Sequence, residues 1–230
     1  MQSDILNSRT IKSISIVGNG PISEADAPLI DESDFVLRFN SAPACGAAGQ
    51  RVDALMLNRA RVYTSKRINP IALHRAEEVW VNDIEENGRV DWLFDKECRP
   101  KYLGFGPITK ARTQLKKYEA VEATNPTSGA SIIAELLDTL PNAKIHLFGF
   151  THQGKQHTHD WGAEKQWIQE LCEQGRITKH ITPGPPARRT LSGTLEYYAR
   201  FVEKRLKHYV YNKLLHSSAS TKHRIFGLKK

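Results

Sequence analysis

At 230 residues, 40% hydrophobic and 25% charged, the chain has the size and composition of one globular domain with a sizeable core. No run approaches the roughly 18 apolar residues needed to span a bilayer. The opening MQSDILNSRTIKS also lacks the basic and apolar regions of a secretory signal. The net charge of +8 is segregated: residues 201–230 hold six Lys and two Arg against one Glu, and the preceding stretch is nearly neutral. That distribution argues against nucleic acid as the partner of the folded body and sets residues 1–200, the expected catalytic domain, apart from a basic C-terminal helix or tail, 201–230. Cys45, Cys98 and Cys172 form no CxxC pair and read as buried thiols of a reducing compartment, so a cytoplasmic location is expected.

In chain order, SISIV (13–17) reads as a strand running into the tight turn Gly18-Asn19-Gly20-Pro21, where backbone can approach a ligand. A second strand, 34–40, ends in Asn40 and a small-residue loop. Third and fourth strands follow at 52–58 and 77–82. The stretch with Trp92, Cys98 and Pro100 reads as mixed helix and loop, and 108–121 as an amphipathic, solvent-facing helix. Neither GxGxxG nor a P-loop is present. Strand-then-helix alternation predicts an α/β class: a Rossmann-like single domain whose mostly parallel sheet is flanked by helices.

Residues 125–164 carry the densest signals. Pro126-Thr127-Ser128-Gly129 opens a helix, and Ile132, Ile133, Leu136, Leu137 and Leu140 fall on its apolar stripe. KIHLFGF is a buried strand. Beyond its carboxyl end come His152, His157, His159, Asp160 and Glu164, where open α/β sheets bind ligands. A helix follows over 164–174, then a Pro/Gly-interrupted loop over 177–190. The long helix from 191 to about 215 places Leu195, Tyr198, Phe201, Val202 and Leu206 on one face, and the last fifteen residues read as frayed. Phe201, Leu206, Tyr209, Tyr211, Leu214 and Leu215 interleave with Lys and Arg, as in a segment that lies on an anionic membrane surface. Peripheral contact with the inner membrane is therefore expected of the tail.

These motifs together resemble the sialyltransferase family, specifically its animal-type members (glycosyltransferase family 29-like), in a microbial or viral form. Val17-Gly18-Asn19 and Ile30-Asp31-Glu32-Ser33-Asp34-Phe35-Val36-Leu37-Arg38-Phe39-Asn40-Ser41-Ala42-Pro43 are similar to the family's large motif. Pro126-Thr127-Ser128-Gly129 with Leu147-Phe148-Gly149-Phe150 is similar to the small one, and His159 with Glu164 to the very small one. The bridging cysteines and signal anchor of the animal enzymes are missing, and GNGP replaces the animal turn.

The resemblance implies a GT-A-variant fold that moves a sialic or related ulosonic acid from a CMP-sugar to a glycan or glycolipid acceptor, with inversion. It implies donor contacts from Gly18, Asn19, Asn40, Thr127, Ser128 and Gly129, a His159 general base with Glu164 beside it, and secondary acceptor roles for His152 and His157. No cofactor is expected, the CMP-sugar being the donor substrate. No metal is expected either, because CMP leaves as a monophosphate and no DxD occurs in the candidate loops. Two alternatives stand beside this: a non-catalytic nucleotide-binding module of the same fold, and a metal-dependent hydrolase built on His152, His157, His159 and Asp160.

Overall fold

The structure is a computed structural model. It describes residues 6, 10–58, 68–82, 100–120, 124–152, 159–181, 187–188 and 191–226. Their strands, β1 (Ser13–Val17), β2 (Phe35–Phe39), β3 (Ala54–Asn58), β4 (Glu78–Asn82), β5 (Pro100–Gly104), β6 (Lys144–Phe148) and β7 (Ile177–His180), form one sheet in the order β5-β4-β3-β2-β1-β6-β7. Every pairing is parallel. The helices are α1 (Ala27–Asp31), α2 (Pro70–Arg75), α3 (Gly106–Leu115), α4 (Ser128–Thr139), α5 (Trp161–Glu173) and α6 (Leu191–Phe226).

A parallel sheet is covered on both faces, so its central strands are apolar on alternate sides. Ile14, Ile16, Phe35, Leu37, Met56 and Trp80 face the layer containing α3, α4 and α5. Leu55, Leu57, Val79 and Val81 meet α2 on the other face, while Val17, Val36 and Phe148 pack with Ile30 of α1. The result is an α/β domain with a three-layer core.

Much of the IDESDFVLRFN segment is scaffold. The Asp31 carboxylate accepts from the Gln50 and Arg51 N–H groups. Asp34 accepts from the N–H groups of Lys12 and Ser13, which hold its carboxyl below the usual range. Arg38, fully buried on β2, donates from Nε to the Arg51 carbonyl and from Nη2 to that of Ala48. A buried guanidinium needs such partners, and they fold the small-residue loop after β2 back against the strand.

Five of the strands lie where alternation places them, within two residues. Both edges differ from expectation. Residues 100–104 and 177–180, read as mixed structure and loop, are β5 and β7. The sheet edge needs no continuous apolar run, and PKYLG is only half-buried throughout. The helix expected at 108–121 begins at Gly106 and turns into a short 3₁₀ segment, Lys116–Tyr118, capped by Glu119 with a positive φ of 55°. It is not solvent-facing along its length: Pro107, Ala111 and Leu115 are buried. The helix expected at 164–174 starts at Trp161, and the last one continues to Phe226 where fraying was expected. Trp92, Cys98 and His157 lie outside the described residues.

The turns after β1 and β6 cross at backbone distance. Gly18 N–H donates to the Phe148 carbonyl at 2.7 Å and Gly20 N–H to the Gly149 carbonyl at 3.0 Å. A Cβ at Gly20 would lie 2.5 Å from the Gly149 oxygen, closer than any stable contact. Gly20→Ala is expected to destabilise the fold by about 1–3 kcal/mol through forced backbone displacement, measured as a lower urea midpoint with an unchanged slope.

Candidate functional site

The strand order reverses at β1: its successors β2 to β5 extend to one side, and β6 and β7 lie on the other. Ligands of open α/β sheets bind beyond the carboxyl ends at such a switch point. Because Val17 is paired with both Arg38 and Phe148, the turns after β1, β2 and β6 emerge at one level.

Gly18 is buried, and its N–H is already committed to Phe148. Asn19 is exposed, and its Oδ1 accepts from the Ser41 hydroxyl at 3.2 Å, which links the β1 turn to the β2 loop. Asn40 has a φ of +40°, a conformation asparagine tolerates better than most residues. Its Oδ1 accepts from the Asn58 N–H, and its own N–H donates to the Met56 carbonyl. One end of that carboxamide therefore holds the ends of β2 and β3 together, and among the described residues its amide nitrogen has no partner.

Phe150, just past β6, brings α4 to this edge. Its ring meets Phe39 edge-on at 6.4 Å, and a Cβ on Gly129 would lie 2.7 Å from that ring. Only glycine lets the first turn of α4 approach so closely. Thr127 is the N-cap of α4, its Oγ1 accepting from Ala130 N–H at 3.0 Å. The Ser128 and Gly129 N–H groups have no partner among the described residues. They point along a helix axis whose positive end favours an anion.

Thr127 has a second tie. Its N–H donates to Glu164 Oε1 at 2.7 Å and its hydroxyl to Oε2 at 2.9 Å. Glu164 is 2% exposed. Burial pushes its carboxyl above the usual range, while the two Thr127 bonds pull the other way. Glu164 therefore joins α5 to the start of α4. It does not cap its own helix; Asp160 does that, accepting from Ala163 N–H at 3.0 Å.

His159 immediately precedes that cap. Its Nδ1 lies 2.6 Å from the Asn125 carbonyl, and its ring meets Trp161 edge-on at 5.4 Å. A carbonyl only accepts, so Nδ1 carries a proton, and in the neutral ring the lone pair is then on Nε2. Arg112 Nη2 in turn donates to Asn125 Oδ1 at 2.7 Å. A hollow of about 180 Å³ beside Asn125 and Asp160 is lined by Arg112, Lys116 and Thr124 among others. Asn125 is the positioning group that sequence reasoning overlooked, since a backbone carbonyl leaves no mark on side-chain identity.

His152 behaves differently. It has a positive φ of 49°, and its Nδ1 lies 3.4 Å from Lys179 Nζ. Burial, with Lys179 and Lys165 nearby, pushes its pKa down to about 4, so the ring is neutral at physiological pH and a weak base. A second overlooked pair, His146 and His180, sits side by side on β6 and β7, Nδ1 to Nε2 at 3.0 Å. Among the described residues no three His, Cys, Asp or Glu groups converge as a metal would require.

No protein-family model matches the sequence. Among curated proteins the chain is similar to the urease operon 23 kDa accessory protein of Rhizobium meliloti (strain 1021), 27% identical over 72% of this chain and 91% of that protein. Among solved structures it is similar to a mammalian sialyltransferase, with 15% identity and a TM-score of 0.48 over 77% of this chain and 71% of that one. It is also similar to the monofunctional alpha-2,3-sialyltransferase Cst-I from Campylobacter jejuni, with 10% identity and a TM-score of 0.49 over 86% and 96%. A third is the sialyltransferase CstII from Campylobacter jejuni in complex with cytidine-5'-monophosphate, with 13% identity and a TM-score of 0.44 over 75% and 80%.

Two outcomes follow from this geometry. Glu164→Ala leaves the Thr127 donors without their acceptor and is expected to cost about 1–3 kcal/mol, with Glu164→Gln costing less; chemical denaturation checks both. For His152 the fold disfavours the charged form, so the unfolded chain binds more protons between the ordinary 6.5 and about 4. Stability is expected to fall as pH drops through that window. His152→Ala should flatten the slope, as measured by urea unfolding at pH 7 and pH 5.

Proposed function

We propose that the chain is a glycosyltransferase that moves a sialic acid or related ulosonic acid from a CMP-sugar to a glycan or glycolipid hydroxyl. The observation that carries the reading is His159. Its ring is fixed through Nδ1 by the Asn125 carbonyl, with Nε2 left to accept a proton, on the segment whose Glu164 joins it to the anion-ready start of α4. The motif resemblance supports the same assignment.

In this mechanism the acceptor oxygen attacks the anomeric carbon while its proton passes to His159 Nε2. The bond from that carbon to the phosphate oxygen breaks, and CMP departs with the electron pair. A single displacement inverts the anomeric centre. Charge grows on the leaving phosphate, so donors already in place there lower the barrier. The Ser128 and Gly129 N–H groups and the Ser128 hydroxyl serve this role. Thr127, named by the resemblance as a donor contact, acts through the helix it caps, because its own N–H and hydroxyl are held by Glu164. Asn19 and the amide nitrogen of Asn40 face the nucleoside end. The leaving group is a monophosphate, so no diphosphate–metal clamp is required.

A second reading draws on the curated relative, whose name places it in the urease operon and assigns no transfer reaction. Under it the same crevice binds a nucleotide without turnover.

Calorimetric titration with CMP, and with UMP and ADP as controls in EDTA, is expected to show selective CMP binding. His159→Ala is expected to lower transfer from a CMP-sugar by about 10²–10⁴-fold while CMP affinity changes little. Transfer that persists in that variant would overturn the mechanism. CMP binding without turnover by the native chain, across CMP-sugar and acceptor panels, would favour the second reading.

A further inference from the structure

The helix α6 is apolar on two faces. One packs on the body: Tyr197 lies against the cluster around Ile71 and Val79, Arg200 Nη2 is 3.0 Å from His74 Nε2, and Arg75 pairs with Glu196 at 3.6 Å. Phe201, expected on the same stripe as Leu195, is on this side, stacked on Tyr197 with Arg205 over it. The other face carries Leu191, Leu195, Tyr198, Val202, Leu206 and Tyr209, all more than half exposed. Their spacing of four, three, four, four and three residues keeps them in one line along a straight helix. Large apolar side chains in a continuous row mark a surface that something covers.

Charge decides what covers it. Over 191–226 seven basic side chains stand against Glu196 and Glu203. Arg205 is exposed on one flank of the stripe, and Lys213, also exposed, continues its line one turn beyond Tyr209. A second copy would set two such cationic helices together and bury Lys213 in the seam, which is unfavourable on both counts. At a lipid surface the lysine stem stays in the apolar layer and its ammonium reaches the headgroups. Among the described residues no helix is long and apolar enough to cross a membrane, so the geometry is that of a helix lying on one.

We propose that the Leu191–Tyr209 stripe of α6 is a docking surface for anionic lipid, with the basic residues flanking and following it held over the headgroups. This assignment rests on the helix alone and stands whichever reading of the crevice is correct.

The test is co-sedimentation of the full chain with vesicles of neutral phosphatidylcholine, and with vesicles containing 30 mol% phosphatidylglycerol. Sedimentation only with the anionic vesicles, weakened severalfold by raising salt from about 0.05 to 0.5 M, is the expected result and needs no variant. The triple change Leu195→Glu, Val202→Glu, Leu206→Glu is expected to reduce partitioning at least tenfold. Its circular dichroism should match the native chain, since these positions face solvent. Failure to bind anionic vesicles, binding that ignores lipid charge and salt, or retained binding in the triple variant would each overturn the proposal. So would a dimer in sedimentation velocity that the triple change dissolves, which would assign the stripe to a second copy.

Discussion

The bidentate hold of the Glu164 carboxylate on the Thr127 N–H and hydroxyl is the interaction on which the site depends. Glu164 lies in the first turn of α5, Thr127 caps α4, and the two helices reach the sheet edge from different parts of the chain. A buried carboxylate is costly unless its oxygens are bonded, and here one residue supplies both donors. Because His159 stands directly before α5 and its ring is fixed to Asn125, two residues before Thr127, the clamp and the His159 bond close one small structure. Loosening either end would release the other.

That arrangement also divides the labour at the start of α4. A helix of twelve residues offers several unpaired N–H groups at its first turn. The Thr127 hydroxyl takes one of them, and the N–H groups of Ser128 and Gly129 remain. The internal anion and any arriving one therefore meet different donors. Gly129 sits at this point because the Phe150 ring leaves no room for a Cβ, and Phe150 is placed by the close crossing of the β1 and β6 turns. Packing constraints in the core thus reach the candidate site through glycines at 18, 20, 129 and 149.

Much of this was legible in the sequence, for physical reasons. Buried parallel strands carry apolar side chains on both faces, so the short apolar-rich runs of β1, β2, β3, β4 and β6 announced themselves. The edge strands β5 and β7 did not, since half-buried PKYLG and ITKH carry no such run. The cap at Thr127 followed from turn chemistry, and the placement of Asn19 and Asn40 beyond the carboxyl ends of neighbouring strands from strand order. What escaped was the set of tertiary partners. Nothing in the letters says that Glu164 would reach Thr127, that a backbone carbonyl would fix His159, or that Arg38 would be a fully enclosed tie for the β2 loop. The long helix was foreseen, but one residue of its stripe was misplaced. Leu195, Tyr198, Phe201, Val202 and Leu206 were expected on one face, but Phe201 stacks on Tyr197 toward the body while the other four stay in water.

The central claim is that the start of α4 holds the donor phosphate within reach of a histidine whose Nδ1 is fixed. The measurement that tests it most directly is a crystal structure of the chain with CMP bound. The account predicts phosphate oxygens about 3 Å from the Ser128 and Gly129 N–H groups, the His159 Nδ1–Asn125 bond intact, and Nε2 facing the phosphate side. CMP seated elsewhere, for instance in the hollow beside Arg112 and Lys116, or a His159 ring turned so that Nε2 points away, would contradict it.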